Sequence, residues 1–377
     1  MIVMSLKLDN IYSFNNFEID FSFPKKPVKE SLIGPECLSD RPRFRYKKAL
    51  ILMGANATGK TILGRALLNI FKYMQTGNTA LLLEMTGDNS PASFTIDFVN
   101  NEHMLKRLSA VIEPTSGTVK AYGCGRWIKE KDSYEICARD LELMDPFEIG
   151  TMLPDGIRHM HDAAELRDFV GSFNYRFAYP DIDQSMKLDA VDEKEVLRTL
   201  RAVIGTLDPS LKNISVSKEL KNSYIIRRKE EEIIIQEGQI HNKEALSRGT
   251  IEGIDVAVFL AAMRKKGSGF YYCDEHFSYI QSDIEKRIFG LMVERIGTDG
   301  QLIFTTHNTD MLDLNLPKHS FAFLRKEQEG DDYRISVMYA SDLLKRNTDS
   351  VRSAAENDMF MSLPDDSLLD ALEVDDE

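Results

Sequence analysis

Gly54-Ala55-Asn56-Ala57-Thr58-Gly59-Lys60-Thr61 stands between a continuous apolar run, Ala49–Met53, and a stretch with helical periodicity from Thr61 to Gln75. An apolar run without polar interruption reads as a strand covered on both faces. After the motif, Leu63, Ala66, Leu67, Ile70 and Met74 recur at helical spacing, and Gly77 supplies a stop. Strand, glycine-rich turn and helix in that order commit the chain to an α/β layer arrangement. The turn fits G-x-x-x-x-G-K-[ST] at every fixed position. Glycines let the backbone close around phosphate oxygens, and successive N–H groups at a helix N-terminus supply partial positive charge. Lys60 is placed to reach β- and γ-phosphates, and the Thr61 hydroxyl to ligate Mg²⁺.

A second apolar strand, Gly269 to Cys273, ends in Asp274-Glu275. Ligands of α/β sheets collect at the C-terminal ends of strands. Asp274 is expected to hold Mg²⁺, directly or through water, and Glu275 to orient and deprotonate an attacking water. An Asp-Glu pair also caps helices; the phosphate loop is what selects the catalytic reading. Leu246-Ser247-Arg248-Gly249-Thr250 precedes an apolar helix, Ile254 to Met263. A serine and a glycine there make an anion site, and a plain N-cap would look the same. Gln301 to His307 is a third short strand ending in polar groups, with His307 placed to touch a γ-phosphate or its water. A lone histidine is more often structural, so the arrangement carries the reading rather than the residue. His159-Met160-His161-Asp162 reads as a charged helix face in preference to a metal cluster.

Around these motifs the pattern alternates between sheet and helix. Ile2, Met4, Leu6 and Leu8 form one alternating row, and Phe17, Ile19, Phe21 and Phe23 another, predicting an antiparallel pair with a turn near Ser13–Asn16. Residues 24–48, rich in Pro and Lys/Arg, read as a loop, and residues 92–137 as further antiparallel sheet. From 140 to 210 the pattern is helical and charged without a strand signal. Ile214–Val216, Tyr224–Ile226 and Ile233–Ile235 read as strands. After them come helix (250–265), strand (269–273), helix (283–296) and strands at 301–305, 320–324 and 334–339, which indicates a largely parallel sheet. The expected division is an N-terminal lobe with the phosphate loop and antiparallel sheet (1–139), a helical insertion (140–210), a C-terminal lobe with the Ser-Arg-Gly turn, the acidic pair and His307 (211–345), and a final segment (346–377). Pro364 to Glu377 carries seven acidic residues and no basic one, predicting a mobile tail.

A net charge of −13 argues against broad nucleic-acid binding by the free protein, without excluding a local basic patch. Cys37, Cys124, Cys137 and Cys273 form no CxxC pair and match no zinc spacing, the usage of a reducing compartment. No leader pattern opens the chain, and the longest apolar runs, near Val256–Met263, are too short to span a bilayer. A cytoplasmic protein without a membrane partner is expected.

The order G-x-x-x-x-G-K-T, L-S-x-G, apolar strand with D-E, then T-T-H resembles the ABC-type ATPase heads, which include SMC and DNA-repair heads and the OLD-type ATPases. Leu8-Asp9-Asn10-Ile11-Tyr12-Ser13-Phe14 looks like their first strand and turn, and a long insertion between phosphate loop and signature is usual among them. The chain looks most similar to the stand-alone AAA-family ATP-binding proteins of bacterial phage-defence systems. Their signature often reads S-x-G-T, as Ser247-Arg248-Gly249-Thr250 does, and their tails carry a pattern like Arg346…Met359-Phe360…Pro364. The resemblance spans roughly 1–100 and 210–364. It implies a P-loop NTPase of ABC-ATPase type with ATP and Mg²⁺ as cofactors, working as a homo-oligomer of at least two copies. In that sandwich Gly54, Ala55, Asn56, Ala57, Thr58, Gly59, Lys60 and Thr61 of one chain hold ATP, with Thr61 and Asp274 on the metal. Ser247, Arg248 and Gly249 of the other chain meet the γ-phosphate, Glu275 is the base and His307 the switch histidine. Arg248 stands where a small residue is commoner, and Gln75 is the guess for the Mg²⁺-sensing glutamine.

Three functions compete. One is a regulatory ATPase of phage defence, like the ATPase of a PARIS or Septu-like pair, triggered by a nucleic acid or phage protein. The short segment after His307 holds no acidic metal cluster, so its effector, a nuclease, would be a separate protein. The alternative is a DNA-repair or recombination ATPase acting on DNA ends, against which counts the lack of sustained heptads in 140–210. A transporter ATPase would need a membrane partner and a smaller insertion.

Overall fold

The computed structural model describes residues 1–24, 31–87, 90–100, 102–152, 160–179, 191–211, 213–228, 231–236, 239–263, 269–330, 332–346 and 348–362. The chain opens with strands β1 (Ile2–Asp9), β2 (Phe17–Asp20), β3 (Cys37–Leu38), β4 (Arg41–Arg45) and β5 (Ala49–Met53), then helices α1 (Lys60–Thr76) and α2 (Ala80–Leu83). Strands β6 (Ala92–Val99), β7 (Met104–Glu113) and β8 (Thr118–Trp127) follow, with α3 (Tyr134–Glu142), β9 (Phe147–Met152), α4 (Met160–Val170), β10 (Tyr175–Ala178) and α5 (Glu193–Leu207) after them. Next come β11 (Asn213–Val216), β12 (Ser223–Arg228), β13 (Glu231–Gln236), β14 (Gln239–His241), α6 (Arg248–Ala262), β15 (Phe270–Asp274) and α7 (Ser282–Arg295). The chain continues through β16 (Gln301–Thr305), β17 (Phe321–Glu329), β18 (Asp332–Tyr339), α8 (Ala340–Leu343) and α9 (Val351–Glu356).

One six-stranded sheet runs β10-β15-β16-β5-β17-β18. Its first five strands are parallel, and β18 closes the edge antiparallel to β17. Its central strands β5, β15 and β16 are buried along their whole length and mostly apolar because both faces are covered. Ala49, Ile51 and Met53 of β5 enter the same core as Phe259 of α6, Phe289 and Met292 of α7, and Val196, Leu200 and Ile204 of α5. Leu50 and Leu52, one residue out of phase, enter a second core with Leu63, Leu67 and Phe71 of α1 and Phe94 and Ile96 of β6. A second six-stranded sheet, β2-β1-β6-β7-β8-β9, is antiparallel throughout. The four-stranded sheet β11-β12-β13-β14 packs its isoleucines, Ile214, Ile226, Ile233 and Ile235, into the first core.

Three expectations change. Residues 24–48 are not only loop: β3 and β4 pair across their Arg- and Pro-bearing sequence and cover Ile2 and Met4. The row Ile2, Met4, Leu6, Leu8 does not share one face. A register shift against β6 between Val3 and Ser5 re-aims the strand, so Ile2 and Met4 enter a small third core, and Val3, Leu6 and Leu8 the second. The stretch 140–210 contains helices α4 and α5 but also two strands. Of these, β9 is the edge of the antiparallel sheet, and β10 pairs parallel with β15. Of the His159–Asp162 cluster, His159 lies outside the described residues, as does the tail from Pro364; Met160–Asp162 fall in the first turn of α4. No group of three metal-ligating side chains occurs among the described residues, and none of their helices is long and apolar enough to cross a membrane.

A buried amide helps to splice the two large sheets. Gln301, at the start of β16, accepts from Val3 N at 2.7 Å and donates to Val3 O at 2.9 Å, so a side chain replaces a missing ladder rung. Tyr46, just past β4, donates its hydroxyl to the Thr298 carbonyl nearby.

Candidate active site

Parallel strands β5, β15 and β16 end at the same level, and each ends in one part of the site. Residues 54–59 form the turn from β5 into α1. Gly54 holds φ 151°, and a Cβ there would lie 2.5 Å from the Leu324 carbonyl and 2.8 Å from Thr58 Oγ1. The turn therefore presses against β17 in a way that glycine alone fits. Lys60 Nζ folds back onto its own loop, donating to Gly54 O at 2.8 Å and Ala55 O at 3.1 Å, and lies 3.3 Å from Glu275 Oε1. Burial pulls its pKa down; the charges of Glu275 and Asp274 work the other way.

Thr61 Oγ1 donates to Asp274 Oδ2 at 2.6 Å, and Thr305 Oγ1 donates to Asp274 Oδ1 at 2.7 Å. Asp274 is fully buried. Burial raises its pKa, and the two hydroxyls partly offset this. Glu275 follows with φ 46°, left-handed backbone that a side chain rarely adopts. Its N–H is shared between Thr305 O at 3.2 Å and Thr305 Oγ1 at 3.0 Å. This turn aims the Glu275 carboxylate away from the strand, where Oε1 lies 2.9 Å from His307 Nε2. Burial alone would raise the Glu275 pKa, but the His307 hydrogen bond and the charge of Lys60 outweigh it and hold the carboxyl below its usual range. A pocket of about 350 Å³ opens beside Glu275, Glu285, Thr306, His307 and Asn308.

The donor set fits Mg²⁺. One hydroxyl and one carboxylate are few ligands for a protein cage, but Mg²⁺ keeps waters and takes its remaining oxygens from substrate phosphates. Gly54 and the Lys60 ammonium, in contact beside them, are the groups that would receive phosphate oxygens.

Ser247, Arg248 and Gly249 stand apart from this group. Ser247 caps α6, its Oγ accepting from Thr250 N at 3.1 Å, and both Ser247 and Arg248 are exposed. Arg248 Nη1 donates to the Tyr279 hydroxyl at 2.7 Å, and a Cβ on Gly249 would meet the Tyr279 carbonyl at 2.6 Å. These contacts tie the turn to the segment following Glu275, not to the phosphate loop. Gln75 lies in the last turn of α1, donating to Phe173 O at 2.9 Å. At 1.5 Å per residue that is roughly 20 Å from Lys60, too far to sense a metal there.

Two contributions escape a motif reading, although Thr305 itself stands in the Thr-Thr-His motif. Thr305 bridges Asp274 and Glu275, and its signal is register, since Asp274 and Thr305 are Cα partners across β15 and β16. Tyr272 Oη donates to the Lys60 carbonyl at 2.6 Å, fixing the first turn of α1 to β15; its place in an apolar run gives no hint of that. His276, which follows Glu275, is buried, and neither ring nitrogen has a partner among the described residues. Burial lowers its pKa to about 4.

No family model and no curated protein matches the sequence. Solved structures do match the fold. An SMC head bound to the C-winged helix domain of ScpA superposes with a TM-score of 0.52 at 14% identity, over 91% of this chain and 100% of that one. An SMC head with an extended coiled coil from Pyrococcus furiosus, bound to the C-terminal domain of ScpA, gives 0.48 at 14%, over 91% and 98%. The recombination mediator RecF of the RecFOR pathway gives 0.40 at 9%, over 89% and 97%. The fold is that of the ABC-type ATPase heads: a mixed α/β structure with a parallel phosphate-loop sheet and an antiparallel sheet beside it.

Proposed function

We propose that this ABC-type head binds ATP with Mg²⁺ and hydrolyses it, with residues 54–61 around the phosphates, Thr61 and Asp274 on the metal, and Glu275 as base. One observation carries the reading: Lys60, Glu275 and His307 converge within 3.3 Å contacts beside the Thr61–Asp274 pair. Mg²⁺, when bound, neutralises charge on the β- and γ-phosphates. As found, the Lys60 ammonium neutralises Glu275. An arriving phosphate draws Lys60 away and leaves Glu275 as a free carboxylate held by His307. Glu275 then takes a proton from water as its oxygen bonds to the γ-phosphorus, and the bond to the β–γ bridging oxygen breaks, leaving ADP and phosphate.

The exposed Ser247-Arg248-Gly249 turn has no role at its own phosphate loop. We assign it to the nucleotide of a second copy, in a head-to-tail sandwich. The product of such closure is a changed surface, which a separate effector, probed first as a nuclease, reads in phage defence; residues 140–210 are the segment proposed to carry that contact. A DNA-repair or recombination ATPase is the other reading, and DNA-stimulated turnover separates the two.

The test is hydrolysis and assembly of purified protein. Glu275→Gln should bind ATP and not turn it over, and normal turnover by that variant would remove Glu275 as base. Mixing Ser247→Arg with Lys60→Ala protein should restore part of the activity, because one composite site stays intact. If neither single variant is impaired, the sandwich is wrong. Pull-downs with wild-type and Glu275→Gln protein should recover an effector in an ATP-dependent manner. Recovery of this chain alone, with nuclease activity of its own, would overturn the effector reading.

A further inference from the structure

The turn that carries His307 is held by a residue that no motif names. Glu285 projects from α7 and is 1% exposed. Thr306 Oγ1 donates to its Oε1 at 2.8 Å, and Asn308 Nδ2 to its Oε2 at 2.6 Å. Asn308 N donates to Thr306 Oγ1 at 3.0 Å, which closes the ring. The residues on both sides of His307 are thus fixed by the two oxygens of one carboxylate, while His307 itself stays 43% exposed with Nε2 on Glu275. Among the described residues no cation pairs with Glu285, and its burial raises its pKa. Burying a carboxylate against neutral donors is a costly way to fasten a turn, and an apolar contact would do so more cheaply. What the carboxylate adds is direction, since two charge-assisted bonds fix the orientation of a three-residue turn.

We infer that Glu285 is a positioning residue for the proposed ATPase site: through Thr306 and Asn308 it sets where His307 meets Glu275. The inference rests on the reading of Glu275 as the base. Glu285 does not touch Lys60, Thr61 or Asp274, so its loss acts on turnover rather than on nucleotide binding.

The experiment compares Glu285→Gln and Asn308→Ala in full-length protein, each alone and combined with His307→Ala. Glutamine keeps the shape but cannot accept at both positions, and Asn308→Ala removes one of the two bonds without altering the buried carboxylate. We expect kcat to fall about 10- to 100-fold, the scale of a misplaced catalytic group, with nucleotide affinity changed by less than about twofold. In the His307→Ala background neither substitution should lower kcat further. An unchanged kcat, or the same fold loss with and without His307, overturns the inference. Absence of turnover in the wild-type protein would instead condemn the ATPase reading, and the ring NMR signals of His307 at fixed pH, assigned with His307→Ala, then decide. Glu285→Gln should displace them, and unmoved signals overturn the inference.

Discussion

Replacing Thr305 by valine tests the core of the site with almost no change of shape. The hydroxyl does two things: it donates to buried Asp274 at 2.7 Å and accepts from Glu275 N at 3.0 Å. A hydrogen bond to a charged group contributes about 1.5–3 kcal/mol, and the shared amide bond, whose N–H keeps Thr305 O, about 0.5–1 kcal/mol. The expected loss of stability is therefore about 2–4 kcal/mol, measured by urea unfolding followed by circular dichroism. Thr305→Ser keeps both bonds and should lose less than about 1.5 kcal/mol, the scale of one buried methyl. A second readout follows from charge. Thr305 is one of two hydroxyls opposing the burial that raises the Asp274 pKa, so without it that pKa rises further. Mg²⁺ needs the carboxylate, and the pH at which Mg²⁺-dependent nucleotide binding appears should move upward. Valine costing under about 1 kcal/mol, with an unmoved Mg²⁺ profile, would show that the hydroxyl is not shared as described.

Lys60→Ala should weaken ATP binding about 10- to 100-fold or more, the equivalent of one or two charge-assisted bonds, as read by calorimetry. Gly54→Ala should destabilise the fold by about 1–3 kcal/mol and impair nucleotide binding, since the φ of 151° and the Leu324 carbonyl 2.5 Å from the new Cβ both oppose it; equal urea midpoints would contradict this. His276 has its pKa depressed to about 4 from 6.5 by burial. The unfolded chain gains a proton that the folded chain refuses, so stability is complete above about pH 6.5 and falls by about 3 kcal/mol as pH drops to 4. His276→Leu should flatten that part of the profile, and an unaltered slope would place the acid sensitivity elsewhere.

The strand–turn–helix around Lys60 and the strand ending in Asp274-Glu275 are legible because their physics is local: apolar continuity, glycine, and a polar group at the strand end. Gly77 likewise stops α1 with φ 69°. What escaped was non-local. β10 is short and Tyr- and Arg-bearing, and becomes a strand through its parallel pairing with Phe270–Cys273. β4 is written Arg-Pro-Arg-Phe-Arg, where buried Phe44 alone gives a strand cue. The split of Ile2 and Met4 from Leu6 and Leu8 depends on a bulge that no alternation can announce. Within the site, the roles of Thr305 and Glu285 arise from strand register and helix packing; the Thr-Thr-His motif includes Thr305 without giving its role, and no motif names Glu285. Gln75 shows the converse error, a residue of the right type on the far end of a helix.

The Gln301 splice and the central place of β5 also bear on how this chain is made. β5 lies between β16 and β17, so its partners begin at residues 301 and 321, while Val3 waits for Gln301. A ribosome completes Ala49–Met53 long before either neighbour exists. Until then the strand that carries the phosphate loop is an apolar segment with two open edges, the sort of surface that chaperones hold and aggregates recruit. Long sequence separation between partners also slows closure once they are available. A nascent chain halted before residue 301 should therefore lack a protease-resistant phosphate-loop sheet, however well its antiparallel strands have formed, and the ability to bind nucleotide should arrive late in synthesis and all at once.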